Sequence, residues 1–414
     1  MSDWKLEALL MEKVYSNSFL NLSASHLGAE EDKPLYVPQP WDVFRPTKAT
    51  VEVDGLSKSY WLVDGDLWSD EIEETPLMRR TWVFQERFLA PRVLHFGNRQ
   101  LAWECNTLTA LEMFPAGLPS VLLSQSKSEV LSALMKHKIP DKSDSRSFRE
   151  AWNQVVSQYS RCNLTYKSDK LVAFSGVAKM VEARTGDEYL AGMWKSTLIY
   201  DLGWYRTGTD SETWPSSTTS YRAPSWSWMS VEGEIFLPSA SENVIEHFAT
   251  VLGHPTPDLV GSSVFHAKGR IDLECVTLRL NFIKWAGDTI AEFGVAGVRV
   301  IDDVVESGSH LDLEGSKEEV IRLTEQRGVY MVPLFATNLA IFAVMVSKEQ
   351  APGHYRRVGA AKIEFGRILL TPEQGIPEGW TQVGSSPYVV HSTISRLYIT
   401  EPQRKEAQCV VRLI

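Results

Sequence analysis

The sequence predicts an α+β fold: a partial α/β part, a helical middle and a β-rich C-terminal region. Three observations carry this. Residues 121–208 hold helical patterns, first amphipathic and charged, then "DKLVAFSGVAKMVEARTG" (169–186). From about Val264 the pattern shortens to β runs such as "VFHAKGRIDLECVTLRL", "GVYMVPLFA", "LAIFAVMV", "RRVGAAKIEFG" and "SRLYITE". Between Thr75 and Cys105 a helix pattern is followed at once by a hairpin pattern. The regions divide as 1–115, 116–215 and 216–414.

In chain order, Ser2 or Asp3 can cap a helix over 4–16, with Leu6, Leu10 and Val14 on one face. A Pro-rich connection, "KPLYVPQP", leads to strand-like pieces around Val51 and Trp61. "TWVFQERFLAP" reads as a helix that must end at Pro91, because a residue before proline leaves the α region. "RVLHFGNRQLAWEC" alternates around a Gly-Asn turn, a hairpin signal. A polar break, 216–224, precedes "APSWSWMSVEGEI". In "PSWSW" the period of two puts Trp226 and Trp228 on one face of a strand. The run Val329–Val346 is the most membrane-like, yet Pro333, Thr337 and Asn338 sit near its middle. Two strands around a Thr-Asn turn fit it better than a spanning helix of about twenty apolar residues.

The 414 residues are 43% hydrophobic and 23% charged, with a net charge of −10 and no long basic block. A phosphate-tracking surface needs a basic stripe, so nucleic acid is not an expected partner. Cys105, Cys162, Cys275 and Cys409 lie far apart, which suits reduced thiols in a cytoplasmic protein. The opening Met1-Ser-Asp-Trp-Lys lacks the apolar core of a signal peptide. No G-x-S-x-G, P-loop, G-x-G-x-x-G or H-E-x-x-H occurs. His247, His254 and His266 are not at ligand spacing, so neither a metal nor a cofactor is expected. Cys105 reads as a buried strand cysteine, since no cation-and-His arrangement beside it supports a thiolate.

The stretch 75–105 places Gln85, Glu86 and Glu104 among core-like side chains. A buried, unpaired polar group costs about 1–3 kcal/mol, so each needs a partner. Arg79, Arg80, Arg87 and Arg92 are at hand, and Glu86 is expected to pair with one of them. The group is either a structural network that fixes helix against hairpin, or a pocket wall that offers Glu86 and Glu104 to a ligand. The tryptophans pose a similar choice. Trp194, Trp204, Trp214, Trp226 and Trp228 form either an aromatic core seam or the lining of a pocket for an apolar molecule, with Tyr221 and Arg222 as polar handles.

"RRTWVFQERFLAPRVLHFGNRQLAWEC" (79–105) resembles a signature block of the fungal HET (heterokaryon incompatibility) domain family. The matching positions are Arg80, Trp82, Gln85, Glu86, Arg87, Leu89, Arg92, Phe96, Gln100, Trp103, Glu104 and Cys105. Ala90 departs from the usual Ser. Residues 3–25 are similar to the helix and strand before this block. Residues 169–206, 221–235 and 355–366 are similar to segments that follow HET domains. The family's "Y-x-x-L-S-Y-x-W-G" and "W-I-D-x-x-C-I-N-Q" motifs are absent. The resemblance therefore implies an N-terminally truncated HET-like, TIR-related part whose nucleotide pocket is lost or remodelled, so that no NAD cleavage is expected.

Two functions are compatible with these readings. The first is fungal specialised-metabolite (secondary metabolite) biosynthesis by a cofactor-free cyclase of the Diels–Alderase or pericyclase kind, acting on an apolar terpenoid or polyketide. Confinement supplies most of such an acceleration, and one donor polarises a carbonyl. Arg87, Tyr221, Arg222 and Glu86 would be its catalytic candidates; Trp82, Trp103, Trp194, Trp226 and Trp228 would line the substrate. The alternative, which the family resemblance implies, is a self/non-self recognition protein that triggers cell death.

Overall fold

The computed structural model describes residues 3–27, 34–40, 45–54, 56–123, 126–139, 145–207, 221–253, 269–286, 289–295, 298–301, 309–311, 317–364, 368–370, 380–382, 389–391 and 408–414. The polypeptide divides into two compact units, Met1–Asp187 and Glu188–Ile414. Helices and sheets are mixed, as an α+β fold requires.

The first unit opens with α1 (Asp3–Ser16) and β1 (Asn21–Ser23). Leu10 and Val14 of α1 are exposed; Ser2, the other capping candidate, lies outside the described residues. The strand-like pieces pair as the antiparallel hairpin β2 (Thr47–Val53) and β3 (Leu56–Leu62). Helix α2 (Thr81–Leu89) starts after an extended Arg80 and stops at Ala90, whose ψ of 128° is the conformation that Pro91 imposes. Strands β4 (Arg92–Phe96) and β5 (Leu101–Cys105) then form the expected antiparallel hairpin. With β6 (Thr109–Leu111) they make a sheet in the order β1-β4-β5-β6, in which β1 runs parallel to β4.

Helices α3 (Ser120–Leu123), α4 (Lys127–Lys136), α5 (Ser145–Ser160) and α6 (Lys170–Thr185) follow. Ser126 caps α4 by accepting from the Glu129 N–H, and α6 ends at Gly186 with φ of 74°, a left-handed conformation glycine adopts without penalty. Phe84 of α2 stacks on Phe88 and Phe174 and meets Tyr159 edge-on, so α2 is packed between the sheet and α5/α6.

The helical expectation for 121–208 holds only to Thr185. The second unit starts with short strands β7 (Tyr189–Leu190) and β8 (Met193–Trp194), the one-turn helix α7 (Leu198–Asp201) and β9 (Tyr205–Thr207). β9 pairs with β10 (Glu234–Phe236). "PSWSW" is not a strand: Ser227 accepts from the Met229 N–H and starts a 3-10 turn over Trp228–Ser230. A serine with a local backbone partner competes well against a strand ladder here.

The β-rich part comprises β11 (Val244–His247), β12 (Thr250–Gly253), β13 (Ile271–Val276), β14 (Leu278–Ala286), β15 (Thr289–Val295), β16 (Val298–Ile301), β17 (Ser309–Leu311), helix α8 (Lys317–Gln326), β18 (Val329–Thr337), β19 (Ala340–Lys348), β20 (His354–Glu364), β21 (Ile368–Leu370), the pair β22 (Trp380–Gln382) and β23 (Val389–His391), and β24 (Gln408–Leu413). Its main sheet runs β12-β13-β24-β20-β19-β18-β14-β15-β16-β21. The membrane-like run is the β18–β19 hairpin, with Thr337 Oγ1 accepting from the Ala340 N–H across the turn. Nearly every residue of both strands is buried, so the continuous hydropathy reflects a strand covered on two faces. Pro333 is tolerated beside a register shift in the ladder. Among the described residues no helix is long and apolar enough to cross a membrane. "SRLYITE" (395–401) lies outside them.

Candidate functional site

Three polar residues of the 75–105 stretch, Arg87, His95 and Glu104, meet in the interior of the first unit. Alternation along β5 turns Ala102 and Glu104 inward and leaves Leu101, Trp103 and Cys105 half-buried; along β4 it turns Val93 and His95 inward. Arg87, in the last turn of α2, reaches Glu104 by a fork: Nε donates to Oε2 and Nη2 to Oε1, both at 2.7 Å. His95 Nε2 lies 2.9 Å from the same Oε2, and its Nδ1 lies 3.1 Å from Ser25 Oγ. Since an ionised carboxylate only accepts, Nε2 carries the proton and Nδ1 accepts from the serine. Ser25 in turn touches Ser23 at 3.0 Å.

Two more groups complete the network. Glu73 approaches Arg87 at 3.9 Å. Lys127, at the start of α4, donates from Nζ to the carbonyls of Arg87 (2.7 Å) and Ala90 (2.5 Å), the open end of α2. Trp68 forms the apolar wall, edge-on to His95 at 6.3 Å and under the Arg87 guanidinium at 6.0 Å.

Electrostatics divide these groups. Burial raises Glu104, but the Arg87 charge and hydrogen bonds, then those of His95, outweigh it and hold the carboxyl well below its usual range. Burial pushes Glu73 up against the pull of Arg87. Burial also lowers His95, despite its bond to Glu104, and lowers Lys127 to about 8. The site thus holds one firm carboxylate, one neutral imidazole and a strained ammonium.

Ser25, His95 and Glu104 have the hydroxyl–imidazole–carboxylate order of an acyl-transfer triad. All three are 0% exposed, so no substrate reaches the hydroxyl. What the arrangement does is clamp: the Glu104 carboxylate ties α2, β4 and β5 together, Ser25 joins it through His95, and Lys127 fastens α4 to the end of α2.

Glu86 departs from expectation. It is half-buried and faces the hydroxyl of Tyr15, whose titration it helps to raise after burial itself. Of the four arginines expected to include its partner, Arg87 pairs with Glu104 and Arg79 with Glu74. Gln85 is buried and accepts the Gly176 N–H at 2.9 Å. Trp82 is half-buried, its Nε1 donating to Asp169 Oδ2 at 3.3 Å. Cys105 is half-buried rather than buried. Sequence reading missed Ser25, His95 and Lys127. The alternation that puts Glu104 inward also puts His95 inward, and that signal was present.

In the second unit, Trp194, Trp204, Trp226 and Trp228 are core residues at 0–3% exposure. Trp204 Nε1 donates to the Trp226 carbonyl and Trp228 Nε1 to that of Gly192, both at 2.7 Å. Trp226 Nε1 reaches the Gly269 carbonyl at 3.4 Å. Arg222 is buried, with Nε on the Met229 carbonyl at 2.7 Å and Nη1 on Glu232. Tyr221 is exposed. Arg357 lies 3.6 Å over the Trp204 ring and donates to the carbonyls of Leu202 and Trp204. Trp214, His254 and His266 lie outside the described residues; among those described, no group of three His, Cys, Asp or Glu is placed to hold a metal.

No curated protein and no solved structure matches the chain. A family model does. Residues 1–86, from α1 into α2 and ending one residue before Arg87, match the family described as Heterokaryon incompatibility protein (HET), and the chain is consistent with a HET-domain protein over that stretch.

Proposed function

We propose that this protein acts in heterokaryon-incompatibility-type self/non-self recognition and promotes cell death when triggered. The HET match over residues 1–86 carries the reading. The Arg87–Glu104–His95 clamp begins where that match stops, and it is suited to holding such a module rigid. The cyclase reading has no such support, and two of the indoles it drew on, Trp226 and Trp228, are packed in the core and donate to backbone carbonyls.

The test is induced expression in a filamentous fungus, alone and in fusions with genetically distinct strains, scored by uptake of a membrane-impermeant dye. Death of fused or expressing cells is the expected result. Normal growth in every pairing, with the protein present and folded, would sink the proposal.

A further inference from the structure

In the second unit, β24 lies between β13, to which it is antiparallel, and β20, to which it is parallel. The register sets Cys275 directly opposite Cys409. Directly opposed residues in an antiparallel pair have Cα atoms about 4.5–5.5 Å apart, inside the roughly 4.4–6.8 Å that a disulfide spans. The two thiols are close enough to shift each other's titration, and neither is in a disulfide.

The two sulfurs are not equivalent. Cys275 is 2% exposed and Cys409 half-buried. Cys409 Sγ lies 3.6 Å from Thr277 Oγ1, a hydroxyl that can turn to donate to the sulfur once it is ionised. The bond from Cys275, then that from Thr277 and the charge of Lys348, bring Cys409 down to about 6 against the cost of burial. The same contact pushes Cys275 up. One thiol is therefore reactive and reachable at neutral pH, and its resolving partner is sheltered beside it.

We propose that Cys275 and Cys409 form a reversible disulfide, closed by peroxides and opened by small thiols, that fastens β24 to β13. The Cys409 thiolate attacks one peroxide oxygen, the O–O bond breaks, and the departing hydroxide takes a proton to become water. Cys409 is then a sulfenic acid. The Cys275 sulfur attacks it, the S–O bond breaks, and the hydroxide leaves as water with the Cys275 proton. Two thiols lose two electrons, and one peroxide becomes two waters. At the far end of the same two strands, three positions along the ladder, Arg412 makes paired hydrogen bonds to Asp272, at 2.7 and 2.9 Å, so the two ends of β24 are fastened by different means. A covalent link across the same two strands, closing a long loop, removes freedom from the unfolded chain.

The experiment uses the full chain, reduced, freed of reductant, treated with hydrogen peroxide at neutral pH and then alkylated. Peptide mass spectrometry should show a Cys275–Cys409 cross-link that dithiothreitol reverses, and the oxidised protein should melt several degrees above the reduced one. Cys275→Ser should leave Cys409 as a sulfenic acid that dimedone traps; Cys409→Ser should leave Cys275 unmodified. Full alkylation of both thiols in the peroxide-treated native chain, or a cross-link of either to another cysteine, overturns the proposal whether or not the variants fold.

Discussion

Arg87 and Glu104 join helix to hairpin by two parallel 2.7 Å hydrogen bonds across a sequence separation of 17 residues. Glu104 is wholly buried and the Arg87 side chain only 13% exposed, so neither charge has water to fall back on. Glu104→Gln leaves a buried guanidinium with only the more distant Glu73, at 3.9 Å, as counter-charge. Breaking a pair of this kind costs about 3–5 kcal/mol. Urea denaturation should show a loss of that order. The double variant Arg87→Met/Glu104→Leu should recover part of it, because two well-packed apolar groups need no partners. A Glu104→Gln loss under about 1 kcal/mol would show that the clamp is not what holds α2 to β5.

The titration of the same groups sets a pH dependence. Glu104 has a depressed folded value, so its stabilisation is present above the ordinary carboxylate range and is lost as pH falls toward that depressed value. His95 is also depressed, so below about 6.5 the unfolded chain binds the proton more readily and stability falls. Both contributions make stability rise with pH between about 4 and 7, while Glu73, raised by burial, opposes them above its ordinary value, so Glu73→Gln should steepen the rise. Lys127, with a folded value near 8, gives up its proton before the unfolded chain does, adding a second rise from 8 toward 10.5. Calorimetry across this range should show the acid-side rise in the native protein. Lys127→Met should flatten the alkaline one. A melting temperature constant from pH 4 to 6.5 in Glu73→Gln, where the opposing carboxyl is gone, would contradict the assignment.

Glu86 makes a contrasting case. It is only half-buried and its partner is the Tyr15 hydroxyl, not a guanidinium. Glu86→Gln should therefore cost far less than Glu104→Gln, about 1 kcal/mol or under, as for loss of an ordinary hydrogen bond. Tyr15 should ionise at lower pH once the neighbouring charge is gone, and ultraviolet titration of the phenol reads this directly. An unchanged titration curve would remove Glu86 from the surroundings of Tyr15.

Local signals in the sequence were sufficient wherever a backbone rule applied. Pro91 ended α2, the Gly-Asn turn placed β4 and β5, and Thr337-Asn338 turned β18 into β19. The apolar surroundings of Glu104 in the sequence showed that it needed a partner, either within a structural network or in a pocket wall. What they could not show was which cation would meet it. Arg79, Arg80, Arg87 and Arg92 were equal on spacing, and only the crossing of α2 over the sheet selects Arg87. Lys127 was out of reach of any local argument, because it arrives from another helix to close the end of α2. "PSWSW" failed for a different reason. Its alternation was real, but Ser227 satisfies the Met229 N–H locally and the chain turns before a ladder can form.

Gly176, in the middle of α6, decides how closely α6 and α2 can pack. Intrinsic propensity favours alanine over glycine in a helix by about 1 kcal/mol, so Gly176→Ala would stabilise an isolated α6. In the folded unit a Cβ there would lie 2.6 Å from Gln85 Oε1 and 2.9 Å from Leu89 Cδ1. Neither neighbour can retreat freely: Gln85 is 1% exposed and bonded to the Gly176 N–H, and Leu89 is 6% exposed. Overpacking of such a core costs about 1–3 kcal/mol, which exceeds the propensity gain at most of that range. Gly176→Ala should therefore lower the melting temperature. Adding Gln85→Ala should relieve the clash, so the double variant should lose less than the sum of its singles. Strict additivity, or a stabilised Gly176→Ala, would mean that the two helices are not in contact at this point.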